Sequence, residues 1–326
     1  MALIGTLGSG VSALRSFVKG LEVIGNNITN VNTTGFKSSQ AQYADSFSNI
    51  LQRSAPSNGT ASNTSTIEVG TGVRLSKITS RFSQGELSTT GQQTDLGVSG
   101  AGFFLVRDPQ SGSQFVTRAG DFRVDDQGFL VTQQGFRVQG LSDGATAYDA
   151  TVSGGSLVYT ATNTAPATLG DVRMNVNLAI GSGLTNSTGG AFTDPQVAAS
   201  APRLQSFTID QNGNAVAFMS NGDSFTRGRV LLQGYSDPSA LVKEGNNLYS
   251  GMSNAGAIGG LALSAANNSP GTNGLGHIQS GTLELSNVDL TEEFANMITT
   301  QRSFQAGSRL VTVSDSVLED IVNLKR

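Results

Sequence analysis

The sequence predicts a mixed α and β fold, with two helical ends packed as a coiled-coil-like pair around a mainly antiparallel β middle. Three observations predict it. The first thirty residues repeat an apolar side chain at alternating four and three spacing, and the last forty resume that spacing. Between them the period shortens to brief apolar runs bounded by turn residues.

The N-terminal stripe runs through Leu3, Leu7, Gly10, Leu14, Phe17, Leu21, Ile24, Ile28 and Val31, with Gly10 its only break. A helix there would be roughly 40 Å long at ~1.5 Å per residue, with Arg15, Lys19 and Glu22 off the apolar face. Gly25, Asn26 and Asn27 should weaken it, and 30–35 should end it. Together with 280–326, residues 1–45 are expected to form a terminal helical domain. Residues 46–70 read as a linker or extended arm, because 52–66 is polar and of low complexity.

Short strands are expected at 103–106, at 129–131 after the Asp125-Asp126-Gln127-Gly128 turn, and at 207–209 before Asn212-Gly213. They assign 71–142 and 225–279 to a β-domain. From 143 to 224 Gly, Ala, Thr and Ser dominate, which reads as an inserted outer β-domain. At the C-terminus Leu290, Phe294, Met297 and Phe304 begin a 4–3 stripe, which continues with a shift through Leu310, Val317, Ile321 and Leu324. Asp289 stands three residues before Glu292, the spacing of an N-cap with a reciprocal capping carboxylate, and Lys325 and Arg326 stand where the helix dipole favours cations.

Composition excludes several functions. With 20 Lys+Arg against 24 Asp+Glu and no basic block, nucleic acid is not an expected partner. No cysteine is present and His277 is the only histidine, which leaves no thiol nucleophile, disulfide or His/Cys zinc cluster, and no cofactor is implied. The longest apolar runs, such as 103–106 and 215–219, fall far short of the ~20 residues that span a bilayer. The N-terminus lacks the basic segment of a cleaved signal peptide, and Gly5, Gly8 and Gly10 interrupt its apolar run. A secreted carboxylate hydrolase finds no support in the spacing of the acids; Asp125-Asp126 is more simply a turn, His277 has no acid and nucleophile beside it, and 97–102 resembles a phosphate loop only in glycine count. A glycan-binding or surface-binding role is conceivable for 143–224 alone.

A single glycine-containing amphipathic helix does not offset the cost of ordering its backbone until another apolar face covers it. The other terminal helix is one cover, and Ile4, Val11, Val18 and Val23 flank the main stripe and call for more. Assembly into a polymer follows, with a helical hairpin closing a monomer as the alternative. The expected interface comprises Leu3, Leu7, Leu14, Phe17, Leu21, Ile24, Ile28 and Val31 against Leu290, Phe294, Met297, Phe304, Val311, Leu318 and Ile321.

Residues Leu21-Glu-Val-Ile-Gly-Asn-Asn-Ile-Thr-Asn-Val-Asn-Thr-Thr-Gly-Phe-Lys37 resemble the N-terminal signature of the bacterial flagellar rod and hook proteins. Asp95-Leu96, Gly102-Phe103-Phe104, Thr117-Arg-Ala-Gly-Asp-Phe122, Gly128-Phe-Leu-Val131, Gly135-Phe-Arg-Val-Gln-Gly140 and Gly245-Asn-Asn-Leu-Tyr249 fall in that family's order. Gly281-Thr-Leu-Glu-Leu-Ser-Asn-Val-Asp-Leu290 and Met297-Ile-Thr-Thr-Gln-Arg302 resemble its C-terminal helix and approach, leaving 143–206 without a clear match.

The resemblance implies an extracellular tubular homopolymer with paired terminal helices around a channel. Export would proceed without a cleaved signal peptide through the flagellar type III apparatus, with no membrane insertion. It marks Gly25, Asn26, Asn27, Asn30, Asn32, Gly35, Phe36 and Lys37 as motif residues, with Asn26, Asn27 and Asn30 read equally as helix-ending groups or subunit contacts. Within the family, 285–294 and the insert at 143–224 point to the hook type, a flexible torque-transmitting tube; the arm at 50–66 makes the distal rod type the alternative. The implied partners of a hook subunit are further copies of itself, a hook cap protein, the distal rod protein and a hook–filament junction protein.

Overall fold

The computed structural model describes residues 2–54, 63, 65–142, 146–153, 156–163, 168–174 and 204–324, the backbone alone at 2–4, 146–153 and 156–163. The chain divides into two compact units, one of Met1–Asn32, Lys37–Phe82 and Val288–Arg326, the other of Thr33–Phe36 and Ser83–Asn287.

The first unit holds helix α1, Ala2–Thr29, and helix α3, Leu290–Leu324. They pack antiparallel: Thr6 meets Ser314 at 3.4 Å, Gly10 faces Val311, Leu14 faces Gly307, and Asn27 bonds Glu293, so partner numbers fall as positions rise. On α3 the less exposed positions are Glu293, Met297, Thr300, Phe304, Gly307, Val311, Ser314 and Leu318, with Ser303 beside Phe304. Their 4–3 order is unbroken, and the expected shift at Leu310 does not occur. The helices come so close that a Cβ on Gly10 would stand 2.9 Å from Val311 Cγ2. Close approach selects Gly and Ser for the seam, and a count of apolar residues passes over them. Gly10, expected to break the stripe, is therefore a contact residue.

The Asp289 carboxylate accepts from Thr291 N (2.8 Å) and Glu292 N (3.3 Å), capping α3 as expected. The reciprocal half of the box is not formed, because the Glu292 carboxylate lies 3.5 Å from Arg81 Nη1 instead. Lys325 and Arg326 lie outside the described residues.

Of residues 46–70, expected as a linker or extended arm, 48–52 and 67–70 form part of an antiparallel ribbon. Strand β1 (Ser39–Asp45) pairs with β4 (Val73–Ser80), and beyond them β2 (Ser48–Gln52) pairs with β3 (Ile67–Gly70). The polar stretch 52–66 concealed two short strands flanking it; 55–62 and 64 lie outside the described residues. The ribbon rests on α1, where the Ser16 hydroxyl donates to Val73 O (3.3 Å) and Tyr43 meets Phe17 edge-on at 5.9 Å.

The second unit is β-rich. Its strands are β5 (Leu87–Thr89), β6 (Leu96–Ser99), β7 (Phe103–Arg107), β8 (Gln114–Thr117), β9 (Arg123–Val124), β10 (Leu130–Val131) and β11 (Arg137–Ser142). They continue with β12 (Thr146–Ser153), β13 (Ser156–Asn163), β14 (Thr168–Asp171), β15 (Leu204–Ile209), β16 (Asn214–Met219), β17 (Ser224–Val230) and β18 (Leu232–Gln233). The last are β19 (Val242–Gly245), β20 (Leu248–Ser250), β21 (His277–Ser280) and β22 (Thr282–Glu284), with one helical turn, α2, at Ala265–Asn268. The main sheet runs β15-β16-β17-β11-β7-β8-β20-β19, and every strand pair is antiparallel. The turn at 125–128 closes the β9–β10 hairpin: Phe129 N donates to Asp125 Oδ1 at 2.7 Å, and Gly128 takes φ 83°.

The expected boundaries at 143 and 224 are not those of a separate domain among the described residues. Strand β14 pairs with β11, and Val172, Met174, Ile209 and Ala215 share one core with Phe104, Leu130 and Val230. Small, polar composition masked the period-two pattern there. Residues 143–145, 154–155, 164–167 and 175–203 lie outside the described set, and β12 pairs with β13.

Asp171 secures β14: Arg107 Nη2 (2.7 Å) and Gln139 Nε2 (2.6 Å) donate to its Oδ1, and Arg137 Nη1 (3.1 Å) to its Oδ2. Burial pushes its pKa up, but the bonds from Gln139 and Arg137 and the charge of Arg107 outweigh it and hold the carboxyl below its ordinary value. A folded pKa below the unfolded one stabilises above the unfolded value, about 3.9, and that stability disappears as pH falls through the folded value. Asp171→Asn should cost about 1–2 kcal/mol at neutral pH, a modest figure because both guanidiniums reach solvent. Urea titrations from pH 6 to pH 2.5 should show the wild-type advantage vanishing below about pH 4.

Candidate assembly interface

The 21–37 motif supplies fixed points to each unit. Asn27 is buried in the first, where its Nδ2 donates to Ser39 O (2.8 Å) and Glu293 Oε1 (2.9 Å) and its Oδ1 accepts from Ser39 N (2.9 Å). One amide thus joins α1, β1 and α3. An amide alone offers the donor and the acceptor that this backbone pairing needs. Burial raises the Glu293 pKa and the Asn27 bond opposes the rise.

Asn30 Nδ2 donates to Asn26 O (2.9 Å) and Asn26 Oδ1 (2.7 Å), closing the end of α1. Asn26 and Asn32 are exposed, Gly25 is half-buried, and Lys37 is buried. In the second unit, Gly35 N donates to Glu284 O at 2.8 Å, and the Phe36 ring lies 4.7 Å from Lys243 Nζ.

A buried pair joins two further motif segments: Arg118 Nη1 donates to Glu284 Oε2 at 3.1 Å, their side chains 5% and 0% exposed. Burial pushes the Arg118 pKa down and the charge of Glu284 opposes it. Both segments carry the family resemblance in the sequence, and no local pattern there pairs them.

The expected interface residues separate into two groups. Leu7, Leu14, Phe17, Leu21, Ile24, Ile28 and Val31, with Met297, Phe304, Val311 and Leu318, are half-buried; Leu3 lies where only backbone is described. Leu290, Phe294 and Ile321 are instead exposed on α3. With them stand Ile298, Leu310 and Val313, the last two 59% and 60% exposed, a second set of apolar side chains that none of the described residues covers. Ile298 and Val313 were missed, although Val313, Val317 and Ile321 carry a recognisable signal, an i, i+4 run out of phase with the seam. Exposed apolar side chains grouped in this way mark an interaction surface. The described residues show no cluster of potential metal ligands and no helix long and apolar enough to cross a membrane.

Three family descriptions match the chain. Flagella basal body rod protein covers residues 7–37, Flagellar hook protein FlgE/F/G D1 domain covers 97–217, and Flagellar basal body rod FlgEFG protein C-terminal covers 279–324. Flagellar basal-body rod protein FlgG of Bacillus subtilis is 32% identical across 99% of this chain and 100% of its own length. Flagellar hook protein FlgE of Treponema pallidum is 27% identical across 98% of this chain and 99% of its own, in an alignment of 469 positions. The FlgE of Escherichia coli is 25% identical across 97% of this chain and 98% of its own.

Proposed function

Because this chain belongs to the flagellar hook and basal-body rod protein family, we propose that it is a self-assembling axial subunit of the distal rod type. The family is structural, and the chain is a component of the hook and basal body. The observation that carries self-assembly is the second apolar face of α3, left open by a helix pair that already covers its seam. Neighbouring copies cover it, and the antiparallel seam with its 4–3 spacing acts as a coiled-coil-like contact in the tube wall.

Rod is favoured over hook by length: the match to a rod protein runs end to end over 324 positions, whereas hook relatives need 422 to 469. Of the insert that favoured the hook in the sequence, Val172, Met174, Ile209 and Ala215 share the core of the main sheet. The hook reading keeps two observations, the 285–294 segment and near-complete coverage by proteins named FlgE. In either case the chain reaches the outside through the type III apparatus and continues the axis shared by rod, hook, cap and junction proteins.

Purified full-length chain, induced to polymerise and imaged by electron microscopy, is expected to give straight tubes. Curved tubes would favour hook. Leu310→Glu with Val313→Glu should abolish tubes while changing monomer stability by only about 0.5 kcal/mol, since both sites face solvent. A monomer that never assembles, with 2–29 and 290–324 already protected from hydrogen exchange, would overturn the reading.

A further inference from the structure

The charges on the helix pair that form no ion pair among the described residues sort by sign along its length. At the start of α3, Glu292 pairs with Arg81, Glu293 accepts from Asn27, and Asp289 caps the helix; on α1, Lys19 pairs with Glu22. Arg302 and Arg309 are exposed halfway along α3, and Arg15 of α1 stands at the same level, given that Leu14 faces Gly307. Asp315, Glu319 and Asp320 are exposed farther along. None of these six forms an ion pair among the described residues. A basic band is thus followed by an acidic band, and exposed apolar side chains lie between and beyond them.

Resting on the assembly reading above, we infer that these bands set the axial stagger between neighbouring copies, the basic band of one copy lying level with the acidic band of the next. Copies of a polar tube run in one direction, so neighbours at equal height would oppose like bands, which repel. Three helical turns, eleven residues or about 16 Å of rise, remove the conflict. That displacement brings Arg309 level with Asp320, Leu310 with Ile321, and Val313 with Leu324. Exposed ion pairs contribute little affinity each, but complementary charge selects register and suppresses wrong encounters. The apolar face holds the copies together and the bands choose their height.

The test is a charge reversal read by polymerisation. Arg302→Glu with Arg309→Glu, and separately Asp315→Lys with Glu319→Lys and Asp320→Lys, should each slow tube formation by about tenfold or more. A chain carrying all five reversals should recover most of the rate. A second readout uses the absence of native cysteines. Tubes from a mixture of Arg309→Cys and Asp320→Cys chains should cross-link between copies with a short bismaleimide, and Arg309→Cys chains alone should not. Single-band reversals without effect, a five-fold variant slower than either parent, or Arg309→Cys chains linking to one another would overturn the register and leave assembly standing. Wild-type chain that forms no tubes would overturn both.

Discussion

Glu284→Ala is expected to destabilise the second unit by about 3–5 kcal/mol, the cost of leaving a buried charge without its partner. Arg118 would keep only Val98 O (3.4 Å) and Gly100 O (2.7 Å) as acceptors, and Gly85 N would lose the carboxylate oxygen it reaches at 2.9 Å. The pair itself need not be net stabilising, because desolvation of both ions opposes their attraction. Replacing both partners by Leu should therefore restore the part of the loss that comes from the unpaired Arg118. Urea unfolding of the two single variants and the double variant forms the cycle, and a single-variant cost below about 1 kcal/mol would show that solvent reaches the pair.

Gly35→Ala should be comparably damaging, at about 2–5 kcal/mol, for two separable reasons. Gly35 has φ 67°, and a Cβ there would stand 2.5 Å from Ala119 N and 2.7 Å from Arg118 C, backbone atoms that cannot turn aside. Gly91 provides the control, since it has φ 77° and open space around the same position. Gly91→Ala should lose only the left-handed contribution, about 1–2 kcal/mol. Equal losses at the two sites, by thermal melting, would mean that the 33–36 segment yields to the added methyl.

The two predictions rest on different kinds of information. Gly35 stood in a recognisable motif, but what it approaches, the backbone at 118–119, is eighty residues away in the chain and follows from tertiary packing alone. Arg118 and Glu284 were present in quoted motifs as separate residues. A charged residue read in sequence is expected at the surface, and only the fold shows that these two leave water together.

The same limit explains the interface. Apolar periodicity identified the helices, but fully buried positions of α1 include Gly10, Ser16, Gly20 and Asn27, which carry no hydrophobic signal. Large apolar residues form the margins of the seam, and small ones let the backbones approach. The ribbon at 39–80 was hidden because short strands beside a polar run resemble a linker until they pair. That 168–174 and 204–224 join the main sheet was not legible because composition reports how a stretch is built and not what it packs against.

By itself the sequence determined the two terminal helices, the Asp289 cap, the antiparallel β middle and the family, since each depends on local spacing or on a contiguous motif. Tertiary structure alone decided which helix face is covered, where the strands at 48–52 and 67–70 pair, and that 168–174 and 204–230 join the main sheet. The physical reason is distance along the chain: periodicity and capping act within a few turns, whereas pairing, close approach and charge burial join residues that no local pattern connects.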